Sequence, residues 1–202
     1  MSRPVRALLL AALTLCLVAP SASAAPTRPL GATLGDLWTT VLETPTAENP
    51  FFTGDPACID LRGHTVAPFT PPPGQDFTCT VKHGTKVFVA ASTWECSSFA
   101  GDHFDFGTTE AELRECARQN DEPVAPTVTV DGQPVTVTAI ETGLLRIHLP
   151  EDNIFGLTGA DRNGQSVAHG WVVLLKHLAP GTHTIEFDIE GREPFATTII
   201  VN

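Results

Sequence analysis

Ser92 to Gly107 reads STWECSSFAGDHFDFG, a stretch that holds a Trp, a Glu, a Cys, a His and two Asp within one turn-bounded segment. On an extended backbone His103 and Asp105 fall on one face and Phe104 and Phe106 on the other. An imidazole and a carboxylate two residues apart, with Glu95 and Asp102 nearby in sequence, supply part of a zinc or calcium site. Zinc needs a further ligand from elsewhere, and no distant histidine is singled out. The structural alternative places Trp94, Phe104 and Phe106 in the core and leaves the polar residues on a solvated edge. A second candidate is the loop Leu149 to Gly170, where Glu151, Asp152, Asn153, Asp161 and Asn163 offer oxygen ligands for calcium or sugar hydroxyls. They lack the spaced calcium-loop pattern, and Asp, Asn and Gly also simply make turns. Trp171, beside this loop, can stack on a ligand, although an aromatic opening an apolar strand belongs more often to the core.

Nucleophilic chemistry has little support. Ser92, Ser97, Ser98 and Ser166 stand in no G-x-S-x-G, and no H-E-x-x-H occurs. Scattered His64, His83, His148, His169, His177 and His183 leave a triad assembled by folding open. Glu110 and Glu112 are explained by helix capping rather than by glycoside hydrolysis. No catalytic residue is assigned, no cofactor is expected, and metal binding is undetermined. The weak ligand-binding candidates are Trp94, Glu95, Asp102, His103, Asp105, Asp152 and Asn153.

The elements that must carry these residues can be read from periodicity. Thr33 to Glu43 places Leu34, Leu37, Trp38, Val41 and Leu42 at helical spacing, with Thr33 as a capping residue. Pro45 and Pro50 end that helix, and Phe51 and Phe52 are expected beneath the turn-rich loop after it. Pro68 to Gln75, with three consecutive prolines, is an exposed connector. Residues 77–81 and 86–92 alternate as strands and are expected to form a hairpin through Lys82, His83, Gly84 and Thr85. In TTEAELRECARQN, Thr108 or Thr109 caps a second helix whose Leu113, Cys116 and Ala117 share a face, aiming Cys116 toward the strand of Cys96. From Pro123 onward the pattern is β throughout, with Asp131-Gly132 as a hairpin signal and WVVLLKHL as a central strand. The expectation is a mainly β fold, an antiparallel β-sandwich of jelly-roll or immunoglobulin-like type with two short peripheral helices.

Two arginines, the apolar run Ala7 to Ala19 and Ala22-Ser23-Ala24 read as a signal peptide over residues 1–24, with residues 25–202 as one domain and an elaborated N-terminal half. Cys16 lies inside the apolar run, which favours ordinary secretion over lipid attachment. Cleavage takes the formal charge from −11 to −13, since it removes two arginines and no acid. So acidic a surface opposes nucleic acid and anionic membranes as partners and keeps an extracellular protein dissolved. Cys58, Cys79, Cys96 and Cys116 remain, an even set read as disulfides, with zinc the rival. Of three pairings the sequential one is preferred, because each bond then closes a loop of about twenty residues, worth roughly 3 kcal/mol.

Several segments in order, LWTTVLETPTAENPFFTGDPAC, CTVKHGTKVFVAASTWECS, GTTEAELRECA, VDGQPV, LPEDNIFGLTG and GWVVLLKHLAPGTHTIEF, resemble a family of uncharacterised secreted bacterial proteins. The resemblance covers most of the chain after the leader and implies a secreted domain with a β-rich C-terminal half and no assigned activity. Relatives often carry a Tyr-Trp pair where this chain has Trp171-Val172, and another residue where it has Trp94. The functional expectation is a secreted, non-enzymatic binding or structural accessory module, with polysaccharide or another cell-envelope component as ligand. The alternatives are a small metal-assisted hydrolase using His103, Asp105 and Glu95, and a protein-binding inhibitor that presents a stapled loop.

Overall fold

Strand-like alternation and the two amphipathic segments become a layered sandwich in the computed structural model, which describes residues 28–69, 77–99, 106–121 and 123–202. In chain order come α1 (Leu30–Leu42), the one-turn α2 (Pro50–Thr53), β1 (Ala57–Leu61), β2 (Thr65–Phe69), β3 (Thr78–Val81), β4 (Lys86–Ser97) and α3 (Glu110–Asn120). The β-rich half adds β5 (Thr127–Val130), β6 (Gln133–Val135), β7 (Thr138–Glu141), β8 (Leu145–His148), β9 (Asn163–Leu175), β10 (Gly181–Asp188) and β11 (Phe195–Val201). One sheet runs β1-β2-β4-β9, with β7 and β8 sharing the far edge of β9; the other runs β3-β11-β10-β5-β6. Pairing is mostly antiparallel, but β2–β4 and β3–β11 are parallel, so both sheets are mixed.

Alternation explains the layers. Val87 and Val89 of β4 and Val173 of β9 face Cys79, Val81, Ile185, Phe187 and Ile199 of the second sheet and form the inner core. The opposite face of the first sheet, with Phe88, Ala168 and Val172, is covered by Leu34, Leu37 and Val41 of α1. Ala91 is an extra residue in β4, unmatched between the pairs Ala90–Val172 and Ser92–Trp171. Such a bulge shifts the facing of the residues after it. Beyond it Cys96 packs with Leu113 and Ala117 of α3, which covers the stretch of β4 and β9 that the second sheet does not reach. β9 is central, as its unbroken apolar run predicts.

Both disulfides pair sequentially, Cys58 with Cys79 and Cys96 with Cys116. The first ties β1 to β3 across the two sheets, and the second ties β4 to α3. No helix among the described residues is long and apolar enough to cross a membrane. Asp131 and Gly132, at φ 51° and 73°, make the tight hairpin between β5 and β6.

Several expectations are corrected. α1 begins at Leu30, one turn early, and Thr33 is buried inside it rather than capping it. Residues 82–85 do not close a hairpin: β3 pairs with β11 in one sheet and β4 with β9 in the other. A sheet change lets Val81 and Val87 meet face to face in the core, where a hairpin would have set them side by side. Pro68 lies within β2, at a position where β2 no longer pairs with β4, so its missing N–H costs no ladder bond on that side. Phe51 and Phe52 are 36% and 63% exposed, carried outward on α2 rather than buried. The loop after β8 ends at Arg162, and Asn163 already belongs to β9. The leader, residues 1–24, and the connector from Thr70 to Asp76 lie outside the described residues.

Candidate functional site: a cleft in a split sheet

Of the stretch from Ser92, residues 92–99, 106 and 107 are described. Asp102, His103, Phe104 and Asp105 lie outside the described residues. Trp94 and Glu95 are successive residues of β4 and point to opposite faces. Trp94 is half-buried against the α3 cluster. Glu95 is 9% exposed and accepts a hydrogen bond from the Ser166 hydroxyl across the β4–β9 pair. Phe106, expected in the core, is 41% exposed beside its bridge to Ser97. Among the described residues, no group of three or more His, Cys, Asp or Glu side chains could hold a metal ion.

Asp152 and Asn153 are engaged by the backbone. The Asp152 carboxylate accepts from the Ala47 N–H at 3.3 Å, and its carbonyl accepts from Thr46 at 3.2 Å. Asn153 donates to the Leu157 carbonyl at 2.8 Å and accepts from the Leu157 N–H at 3.0 Å, closing the loop on itself. Ile154, Phe155 and Leu157 then pack on Phe99 and Leu149.

Folding does bring together one serine, one aspartate and one histidine that no motif announces. Ser92 Oγ donates to Asp121 Oδ1 at 2.5 Å, and His169 Nδ1 lies 2.7 Å from Asp121 Oδ2. The order decides the chemistry. A nucleophile relay requires the imidazole on the hydroxyl. Here the carboxylate stands between them and takes both, and its side chain is 1% exposed. The cluster anchors the C-terminal end of α3 to β4 and β9. Next to it, Trp38 Nε1 donates to Thr93 Oγ1 at 2.9 Å, and Thr93 donates to the His169 carbonyl at 2.8 Å, fixing α1 to the same strands.

Beside these anchors lies a cavity. β2 and β4 pair only at Thr65–Lys86 and Val66–Val87. Beyond that Pro68 and the bulge at Ala91 let the two strands part, and a cavity of about 370 Å³ opens between them. That volume lies within the range of ligand pockets, roughly 300–1,000 Å³. Buried Leu37, Ile59 and Ala67 form its outer wall, and Phe187, Ile189 and Thr197 its inner wall. Each wall carries an aromatic stack: Phe51 on Phe69 at 4.1 Å and Phe187 on Phe195 at 4.7 Å. Exposed Asn120, Arg192 and Glu193 stand at the mouth, and Trp94 reaches the lining from β4. Apolar depth with polar groups at the rim is the composition of a binding site.

No family model and no curated protein matches the chain. Among solved structures, the solution structure of Amebosin aligns over 68% of this chain and 96% of its own at 7% identity. Its TM-score of 0.24 is too low for either fold or function to be carried across. Fold and site together define a disulfide-stapled β-sandwich with an aromatic-walled cleft.

Proposed function

We propose that this protein is an exported, non-catalytic binding module that serves as an accessory factor at the cell envelope, with the cleft between β2 and β4 as its ligand seat. The observation that carries the reading is the pair of aromatic stacks, Phe51 on Phe69 and Phe187 on Phe195, that line the 370 Å³ cavity. Two disulfides and the leader-like residues 1–24 support export. The order of Ser92, Asp121 and His169 supports binding over acyl-transfer chemistry, because the hydroxyl proton is committed to the carboxylate.

The test uses the solvatochromic probe anilinonaphthalene sulfonate together with retention of solubilised envelope material on the immobilised protein. Phe51 is half exposed at the cleft wall, so Phe51→Asp places a charge there with little risk to the core. Probe enhancement and retention are expected with the native protein and lost with Phe51→Asp, while circular dichroism stays unchanged. Equal behaviour of both proteins would rule out the cleft as the ligand seat.

A further inference from the structure

The cleft differs from an ordinary apolar pocket in one respect: one of its walls is the hydrogen-bonding edge of a strand. β4 is paired along its length with β9 on one side. On the other side β2 leaves it after Val87, and among the described residues no strand takes over between Phe88 and Thr93. Those six residues span about 20 Å at the usual strand rise. Every second residue of such an edge turns its N–H and C=O toward the gap. Ala90, Ala91, Ser92 and Thr93 of this edge line the cavity, opposite Ala67, Pro68 and Phe69 of β2. The split therefore offers peptide donors and acceptors next to aromatic walls.

That combination selects the class of occupant. A hydrocarbon chain seated in the cleft would strip water from the β4 peptide groups and return no hydrogen bond, which leaves buried polar atoms unsatisfied. An extended peptide answers both surfaces at once: its backbone completes the β4 ladder, and its alternate side chains enter the apolar walls. The side chains of Ala67, Ala90 and Ala91 are small, which leaves room for those of the guest. Arg192 and Glu193 offset each other at the mouth, and the formal charge of −11 over the whole chain favours a guest segment with basic flanks. Resting on the cleft as ligand seat, we infer that the split takes an extended, apolar, basic-flanked segment of another protein, which enters as an added strand on the open edge of β4.

The experiment is selection of a displayed library of random peptides about 12 residues long, roughly twice the open edge, on the full-length protein. Apolar residues at alternate positions and flanking Lys or Arg are expected in the enriched sequences. The tightest peptide is then synthesised with a single backbone N-methyl group at each position in turn. Methylation at alternate positions should weaken binding about tenfold each, and the intervening positions should tolerate it. Phe51→Asp should abolish binding. Failure to enrich any peptide, or tolerance of N-methylation throughout, overturns the inference. Anilinonaphthalene sulfonate separates the ligand seat from the strand addition. If the probe binds and is lost in Phe51→Asp while no peptide binds, the cleft stands and the strand-addition inference falls. If the probe does not bind either, both fall together.

Discussion

Asp121 shows how much one buried carboxylate can organise. It follows the last residue of α3 and receives the Ser92 hydroxyl and the His169 ring. Removing it leaves two donors without their acceptor in a site that water scarcely reaches, so Asp121→Ala should lower unfolding free energy by about 3 kcal/mol. Urea denaturation will read this as a shift in midpoint at unchanged slope. Asp121→Asn retains one acceptor and should cost less. A second pair makes stability depend on pH. His183 Nδ1 lies 2.7 Å from Asp131 Oδ2 and Nε2 lies 2.8 Å from the Ala179 carbonyl. Both partners are acceptors, so the ring serves both only when protonated. The Ala179 carbonyl, and after it the Asp131 carboxylate, raise the imidazole above its ordinary 6.5. The His183 ring, and after it the Thr184 N–H, hold Asp131 below its ordinary 3.8. The His183 contribution is full below pH 6.5 and fades as pH rises through the raised value. The Asp131 contribution is full above pH 3.8 and fades as pH falls through the lowered one. The melting-temperature difference between native protein and His183→Gln should therefore be largest between those limits, shrinking as pH rises through the raised His183 value and as it falls through the lowered Asp131 value. Neither cluster was legible in advance, because Ser92, Asp121 and His169 are common residue types separated by tens of positions and joined only by packing.

Among the elements, α3 was the most legible and the β3–β4 connection the least. Thr109 accepts from the Glu112 N–H, and the Glu112 carboxylate accepts from the Thr109 N–H, a local capping box that decides between Thr108 and Thr109, which the sequence left open. Thr109→Ala should cost about 1 kcal/mol, or about 2–4 °C in melting temperature. α3 is then held by Arg114 and Arg118, which donate to Glu141 of β7. Burial pushes the Glu141 carboxyl up, and the hydrogen bonds and charges of Arg118 and Arg114 bring it below the ordinary value. The β3–β4 connection misled because a four-residue turn between alternating segments looks the same whether the strands pair or pass to facing sheets. Only the partners, β11 and β9, distinguish the two, and they lie about a hundred residues away in sequence. The cleft was hidden for the same reason. Its walls are drawn from α1, α2, β1, β2, β4, β10 and β11, and each phenylalanine taken singly reads as core. Replacing Cys96 and Cys116 together by Ala releases α3 from β4 and opens a loop of twenty residues, which should cost roughly 3 kcal/mol. Differential scanning calorimetry of the double variant checks it.

For the whole molecule the centre of gravity is β9. It pairs with β4, β7 and β8, and both α1 and α3 pack on it. Its amides and those of β4 that pair with it should be the last to exchange with deuterium, while β6, short and exposed, should exchange first. The sheet class was readable because Thr, Val and Ile recur at period two through the second half of the chain. The mixed pairing was not, since parallel partners are chosen by long-range closure rather than by local pattern. That closure has an order in time. A chain emerges from its N-terminal end, so residues 58, 79, 96 and 116 are all present before β9 exists, and β3 waits for β11 to complete its sheet. In an unfolded chain, nearness along the sequence and order of emergence govern which cysteines meet. The native separations are 21 and 20 residues, but Cys79 and Cys96 stand only 17 apart, so it is the earlier emergence of Cys58 that favours the native bond to Cys79. A chain oxidised as it emerges meets its possible pairings one at a time, whereas a reduced full-length chain must discriminate among all three at once.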